Sequence, residues 1–378
     1  MFNTLKRVFS LFSYSPLNQI EISRKNLIAN YKYLRSINKN IKIAPVLKSN
    51  AYGHGILEVA KILDQVRAPF YCVDSIYEAY ELLKIEVKTP ILIMGYIDPE
   101  NLKVKKLPFS YSVFDLKMLS HLANYQPDCR IHLFIDTGMN REGVALEQLS
   151  IYLDQIKKLP QIKFEGLMSH LASAELMESV QNLRQIKNFN IAKDLVKKYN
   201  LHPKWFHLFA SKGILQNRFT KLKNLTNMAR VGMAIFGIDP LGVNENLKPV
   251  VKLKSKIVQI KRVGKGELVG YSGTFKAKKD MILGILPLGY NDGVDRRLSN
   301  RGSVKVASVV CPIIGIVSMN ITTIDITNVL NPKIGDEVVV FSNTPSDPNS
   351  LENAAKICKT IPYEILVHLA PSTKRVVV

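Results

Sequence analysis

The chain has 378 residues, 47% of them hydrophobic and 22% charged, a balance that suits a globular protein with room for two domains. The formal net charge of +21 comes from lysines scattered along the whole sequence, with nothing denser than pairs such as Lys105-Lys106 and Lys278-Lys279. That scatter, without a zinc-finger or RNA-binding signature, argues against a nucleic-acid reader and for a solvated basic surface. No apolar run approaches the ~18 residues of a membrane span.

Residues 1–17 read as an N-terminal extension. Lys6 and Arg7 precede a short apolar run at 8–12, which lacks the long core and small-residue cleavage site of a secretory signal. Residues 41–46 are apolar and β-branched, as in a short buried strand. Val46-Leu47-Lys48-Ser49-Asn50-Ala51-Tyr52-Gly53-His54-Gly55 follows, and a helical pattern covers 56–63. Lys48 therefore stands where a strand becomes a loop, with a tyrosine four residues on and two glycines that let the backbone turn tightly. A lysine so placed can act as a base or a Schiff-base amine, or be a plain solvated loop lysine.

Further strand-like runs lie at 70–73, 91–94, 111–113, 131–135, 164–168, 206–209 and 228–230. Amphipathic stretches at 77–83, 116–124, 146–159 and 180–199 fall between them. Runs too apolar to face water, alternating with helices, predict a parallel sheet covered by helices. Eight such units in roughly 220 residues have the size of a (β/α)8 TIM barrel. The competitor is a doubly wound open sheet, but no G-x-G-x-x-G follows the first strand. Near 240–250 the texture changes to glycine-punctuated β runs at 250–263, 281–286, 304–310, 313–317, 321–326 and 337–341, interrupted by a helix near 351–359. The predicted organisation is an extension (1–17), a barrel (18–245) and a C-terminal, mostly β domain (246–378).

Active sites of such barrels gather at the C-terminal ends of the strands. Lys48, Arg141, His170, Ser211 and Arg230 all fall there. Each could be an incidental loop residue; their shared face argues for a site. No metal-ligand cluster is visible. The four cysteines, Cys72, Cys129, Cys311 and Cys358, lack C-x-x-C spacing and read as buried free thiols, which fits a reducing cytoplasm.

The string Lys48 to Gly55 resembles the cofactor-lysine signature of the alanine racemases, pyridoxal-phosphate (PLP) enzymes with an N-terminal (β/α)8 barrel and a C-terminal β domain. The similarity runs from about Ile20 to Arg375. It implies that Lys48 carries PLP and serves as base on one face of the substrate α-carbon. Tyr271, in Val269-Gly270-Tyr271-Ser272-Gly273-Thr274, matches the base for the other face. A phenol does that work only with positive charge nearby, so His170 is the expected neighbour of Tyr271, with Arg230 beyond. Arg230 itself would meet the PLP ring nitrogen. Tyr52, Ser211, Gly232, Met233 and Tyr363 would hold the phosphate, through hydroxyls and through amides at strand-to-helix junctions. Arg141 and the Met319 segment would meet the substrate carboxylate, and Tyr290 resembles an entrance residue.

In the family, Tyr271 and the Met319 segment enter from the partner subunit, so the resemblance implies a homodimer. It further implies L-/D-alanine interconversion that supplies peptidoglycan with D-alanine. The alternatives are a broader racemase, acting on serine or another amino acid, and a PLP-binding non-catalytic homologue; two departures bear on substrate affinity and preference. Phe134 stands where many relatives have a lysine, often carbamylated, so something else must orient Arg141. Ser318-Met319-Asn320 replaces the usual Cys-Met-Asp.

Overall fold

A computed structural model describes residues 15–173, 179–216, 224–242 and 244–378. Residues 1–14, most of the expected extension, lie outside the described residues. The chain forms two compact units. Ser23–Val250 is one, and Val251–Val378 with the preceding strand β1 (Gln19–Ile22) is the other.

The first unit contains β2 (Lys42–Pro45), β3 (Tyr71–Val73), β4 (Ile91–Ile93), β5 (Phe109–Val113), β6 (Arg130–Asp136), the two-residue β7 (Val144–Ala145), β8 (Lys163–Met168), β9 (Trp205–His207) and β10 (Met228–Val231). Strands β3, β4, β5, β6, β8 and β9 form a parallel ladder in that order, and β10 pairs parallel with β2. Two seams close the ring. Val46 bridges Cys72, with Leu47 N–H donating to the Cys72 carbonyl at 2.8 Å, which joins β2 to β3. Asn227 and Arg230 amides donate to the carbonyls of Phe206 and Phe209 at 3.0 and 2.9 Å, which joins β9 to β10. Eight parallel strands thus close into the expected (β/α)8 barrel and leave no open edge.

Burial explains the strand sequences. All residues of β3, β4 and β5 are buried, because one face meets the barrel interior and the other the surrounding helices. Those helices begin at sequence-legible caps. Ser23, Ser75, Asp115 and Ser179 side chains accept from Asn26, Glu78, Lys117 and Asn182 amides. Ala44, Val46, Phe70, Cys72, Leu92, Trp205 and Met228 pack into one interior cluster. Against its Phe70 ring stands His132, edge-on at 5.1 Å. Room for that imidazole comes from Gly166, where a Cβ would lie 2.1 Å from His132 Nδ1.

The second unit is mostly antiparallel. Its six-stranded sheet runs Val309–Pro312, Ser303–Val306, Glu337–Phe341, Val251–Lys256, β1, Lys374–Val377, and only the pairing of β1 with the last of these is parallel. A second sheet joins Gln259–Val263, Met281–Leu286 and Thr322–Asp325. The sequence reading placed residues 18–22 with the barrel, whereas β1 finds its partners at Val251–Lys254 and Lys374–Val377. The expected strand 250–263 is two strands. Ile257 N–H bonds to Asp336 and Val258 N–H to Ile285, so the chain changes sheets there. The run 304–310 turns back at Ala307, whose φ is 51°. The run 313–317 is not a regular strand, being broken at Gly315 with φ 71°. The predicted helix is present as Leu351–Cys358.

Gly166→Ala should cost about 1–3 kcal/mol by overpacking the barrel interior against His132. Urea unfolding checks this, with a lowered midpoint expected at an unchanged slope.

Candidate active site

Lys48 opens a turn of unusual hand. Ser49, Asn50, Ala51 and Tyr52 all have φ between 52° and 54°. For residues with a Cβ this left-handed conformation costs about 1–2 kcal/mol each, so the surroundings must hold it. The Asn50 side chain accepts from Ile56 N–H at 2.8 Å, and the Asn50 amide donates to Glu78 Oε1 at 3.3 Å. His54 Nδ1 lies 3.0 Å from the carbonyls of both Ala51 and Tyr52, so it is the proton-bearing nitrogen. The His54 ring stacks on Phe236 at 4.1 Å. The turn aims the Tyr52 hydroxyl across Gly232, where a Cβ would come within 2.5 Å of it. Lys48 Nζ lies 3.3 Å from Asp74 Oδ1, a half-exposed pair at the ends of neighbouring strands.

Arg230 is 5% exposed and extends from β10 beside Ala44 of β2. Its Nη1 donates to His207 Nδ1 at 2.8 Å and to the His207 carbonyl at 2.7 Å, and its Nη2 donates to the Ser169 carbonyl at 2.6 Å. Burial pulls its pKa down to about 10, so it stays cationic at neutral pH. His170 follows Ser169. Burial first, then the charges of Arg230, Arg141 and Lys48, pushes its pKa down to about 3. One barrel mouth thus collects an amine, two guanidiniums and a neutral imidazole, an arrangement suited to anions. Ser211 Oγ accepts from Ala234 N–H at 3.3 Å, ahead of the short turn Met233–Phe236 that follows Gly232. The first amides of such a turn have no partner within it.

Arg141 is carried by a loop wrapped on Asp136. That carboxylate accepts from the amides of Gly138, Met139 and Asn140 at 2.8–3.2 Å. Gly143, at φ 117°, passes so close to Asp136 that a Cβ would lie 2.6 Å from its nitrogen. Arg141 meets Glu142 at 3.5 Å. Phe134 is buried edge-on against Phe114 at 6.2 Å. The loop is therefore shaped by Asp136, and Phe134 pairs with Phe114 and supplies no charge to Arg141.

The β unit makes its own grouping. Tyr271 sits in the turn of the hairpin formed by Leu268–Val269 and Phe275–Lys276, over a small core of Val269, Ala277, Met281, Leu283 and Ile314. Asn300 ties this hairpin to the next segment, donating to Thr274 Oγ1 at 3.1 Å and accepting from Gly315 N–H at 2.6 Å. The carbonyls of Ser318 and Met319 accept from the amides of Tyr290 and Asn291, both at 3.0 Å. Asn320 donates to Asp292 at 3.2 Å, so its amide serves a contact where a carboxylate would repel. Tyr271, Met319 and Tyr290 are all exposed. Tyr363 is part-buried in the helix Pro362–Val367. Tyr290 lines a cleft of about 230 Å³ together with Ile365 of that helix.

A family model described as "Alanine racemase, N-terminal domain" matches residues 22–240, and one described as "Alanine racemase, C-terminal domain" matches residues 250–377. The chain belongs to the alanine racemase family. An alanine racemase of Sorangium cellulosum is 34% identical over 87% of this chain and 90% of its own length. The solved alanine racemase of Clostridium difficile 630 is 27% identical with a TM-score of 0.89, covering 97% of each chain. The alanine racemase of Bartonella henselae, solved with covalently bound pyridoxal phosphate, is 25% identical with a TM-score of 0.83 over 96% of this chain and 100% of that one.

Among the residues read from sequence, the barrel unit brings together Lys48, Tyr52, Arg141, His170, Ser211, Arg230, Gly232 and Met233, while Tyr271, Met319, Tyr290 and Tyr363 belong to the β unit. Sequence reasoning passed over Asp74, Asp136, His54, His132, Glu165 and His207. A polar residue inside an apolar strand run was the signal for two of them, since His132 and His207 are fully buried within β6 and β9. Among the described residues there is no cluster able to hold a metal ion and no helix long and apolar enough to cross a membrane. All four cysteines are buried and unpaired.

His132, His170 and His207 each have a folded pKa lowered chiefly by burial. The unfolded chain therefore binds their protons first as pH falls, beginning near the ordinary imidazole value of ~6.5. Their contribution to stability is complete above that pH and is lost as pH drops toward the folded values. The urea midpoint should fall between pH 7 and pH 5. His170→Asn should flatten that dependence, which paired urea titrations at the two pH values would check.

Proposed function

We propose that this protein is a PLP-dependent alanine racemase that interconverts L- and D-alanine by a two-base mechanism. The observation that carries the reading is the barrel mouth itself. Lys48 begins a strained turn, and that turn lays the Tyr52 hydroxyl over Gly232 beside the buried Arg230 cation. These residues fit the cofactor. The open face of Gly232, the Tyr52 and Ser211 hydroxyls and the amides at Gly232 and Met233 suit a phosphate. Tyr363 joins them on the strength of the resemblance. Arg230, which cannot realistically give up its proton, suits an unprotonated ring nitrogen. Lys48 is the amine we assign to covalent attachment, and the alanine racemase of Bartonella henselae was solved with covalently bound pyridoxal phosphate.

Bound there, PLP supplies the electron sink that makes the α-proton of an amino acid removable. The chain's own residues do the rest. Lys48 Nζ takes or returns a proton on one face of the α-carbon, and Tyr271 Oη does so on the other. His170 stays neutral and contributes a hydrogen bond, so the positive charge that Tyr271 needs comes from Arg230 beyond it. Arg141, with the Met319 backbone, takes the substrate carboxylate. The exposed grouping of Tyr271, Met319 and Tyr290 supports a homodimer in which these residues enter the partner's barrel. Supply of D-alanine for peptidoglycan, in the cytoplasm, is the cellular role we assign.

The purified protein should racemise L-alanine and absorb near ~420 nm from lysine-bound cofactor. Lys48→Ala should lose that band. Tyr271→Phe should keep it while α-proton exchange slows strongly from one enantiomer only. Parent-rate racemisation of both enantiomers by Tyr271→Phe would refute the two-base assignment.

A further inference from the structure

The Arg230 cation has no direct carboxylate partner among the described residues. What it has is a line of polar groups running down the barrel interior. His207 Nδ1 lies 2.8 Å from Arg230 Nη1, and His207 Nε2 lies 2.8 Å from His132 Nδ1. His132 Nε2 lies 3.4 Å from Glu165 Oε2. Both imidazoles are fully buried, and the Glu165 side chain is 17% exposed.

Only one proton arrangement satisfies these contacts. A guanidinium nitrogen only donates, so His207 Nδ1 must accept. Were His207 doubly protonated, its Nδ1–H would face the guanidinium N–H. It is therefore neutral and carries its proton on Nε2. That proton points at His132 Nδ1, which must accept in turn. His132, also neutral, then carries its proton on Nε2, aimed at Glu165. Burial favours the neutral form of both rings, as this assignment requires.

Glu165 is there because of a fault in the strand pairing. Where β6 pairs with β8, Ile131 lies opposite Phe164 and His132 opposite Gly166, so Glu165 is the extra residue of a β-bulge. A bulge re-aims a side chain, here a carboxylate toward the barrel floor. Its Oε1 lies 3.7 Å from Arg130 Nε, and its Oε2 lies 3.5 Å from the Ser110 hydroxyl. The 3.4 Å contact leaves His132 Nε2, a buried polar atom, without a hydrogen bond of normal length. It is the weakest link of the line and the one most dependent on an acceptor at position 165.

We infer that Glu165 is a positioning residue for Arg230: its acceptor oxygen at the barrel floor takes the His132 Nε2 proton that the guanidinium end of the line requires, so His132 and His207 are held in these tautomers from both ends, and with them the direction in which the guanidinium presents its remaining donors to the mouth. The inference rests on reading Arg230 as the residue that faces the cofactor ring. Glu165 itself touches neither substrate nor cofactor.

The test uses the full-length protein as purified, with ¹⁵N-labelled histidine, and long-range ¹H–¹⁵N spectra that assign each tautomer. His132 and His207 should both be neutral with the proton on Nε2. Glu165→Leu should shift the His132 tautomer equilibrium and lower kcat for L-alanine about tenfold at unchanged KM. Glu165→Gln, which keeps an acceptor oxygen, should restore both. An Nδ1-protonated His132 or His207 in the parent would overturn the inference. So would a Glu165→Leu variant with parental tautomers and parental kcat, or equal loss in the Leu and Gln variants. If Glu165→Leu does not fold, the parent spectrum and the Gln variant decide. Absence of the band near ~420 nm from the parent would sink the cofactor reading instead, and the tautomers alone would then decide the role of Glu165.

Discussion

A guanidinium buried inside a barrel constrains everything around it. Placing a charge there costs several kcal/mol unless hydrogen bonds replace the lost water. The chain meets that demand with carbonyls and uncharged imidazoles. Two carbonyls and one imidazole take the donors of Arg230, and no described carboxylate quenches it directly. The positive charge therefore stays available at the mouth, where Lys48 and Arg141 reinforce it. The same accumulation keeps His170 neutral, so one electrostatic choice fixes the state of several neighbours.

The turn after Lys48 answers a different demand. The amine of Lys48 gains a fixed origin because the residues after it swing back toward Gly232. Four left-handed residues accomplish this in the shortest length of chain. Their cost is offset by contacts from elsewhere in the same unit: Glu78, His54 and the ring of Phe236. Strain of this kind persists only where the surroundings over-determine it.

Much of this was legible in the sequence. All eight barrel strands lie within or beside runs read as too apolar for a wet surface, and the positions of Lys48 and Arg230 at strand ends pointed to the mouth. The family signature added the roles proposed for them. Other features were closed to such reading. The turn at 49–52 was credited to its two glycines, whereas residues with side chains take the left-handed conformation, held by partners remote in sequence. Glu165 could not be placed because a bulge reverses which face its strand position addresses. The hairpin turn at Ala307 and the sheet change at Ile257 likewise follow from pairing partners that local pattern does not reveal. β1 went unread because four residues with two buried positions resemble any short surface segment.

β1 carries a consequence for how the molecule is assembled. Gln19 is flanked by Lys254 on one side and Lys374 on the other. One side of its slot in the six-stranded sheet is made when Val251–Lys254 follows the barrel, but the other waits until nearly all of the β unit has been translated. The barrel, whose strands pair mostly with near neighbours in sequence, can close first, with the segment before it waiting unpaired. Loop-closure entropy makes such distant pairing slow. The pairing of β1 with Lys374–Val377 is thus the one that waits longest on synthesis.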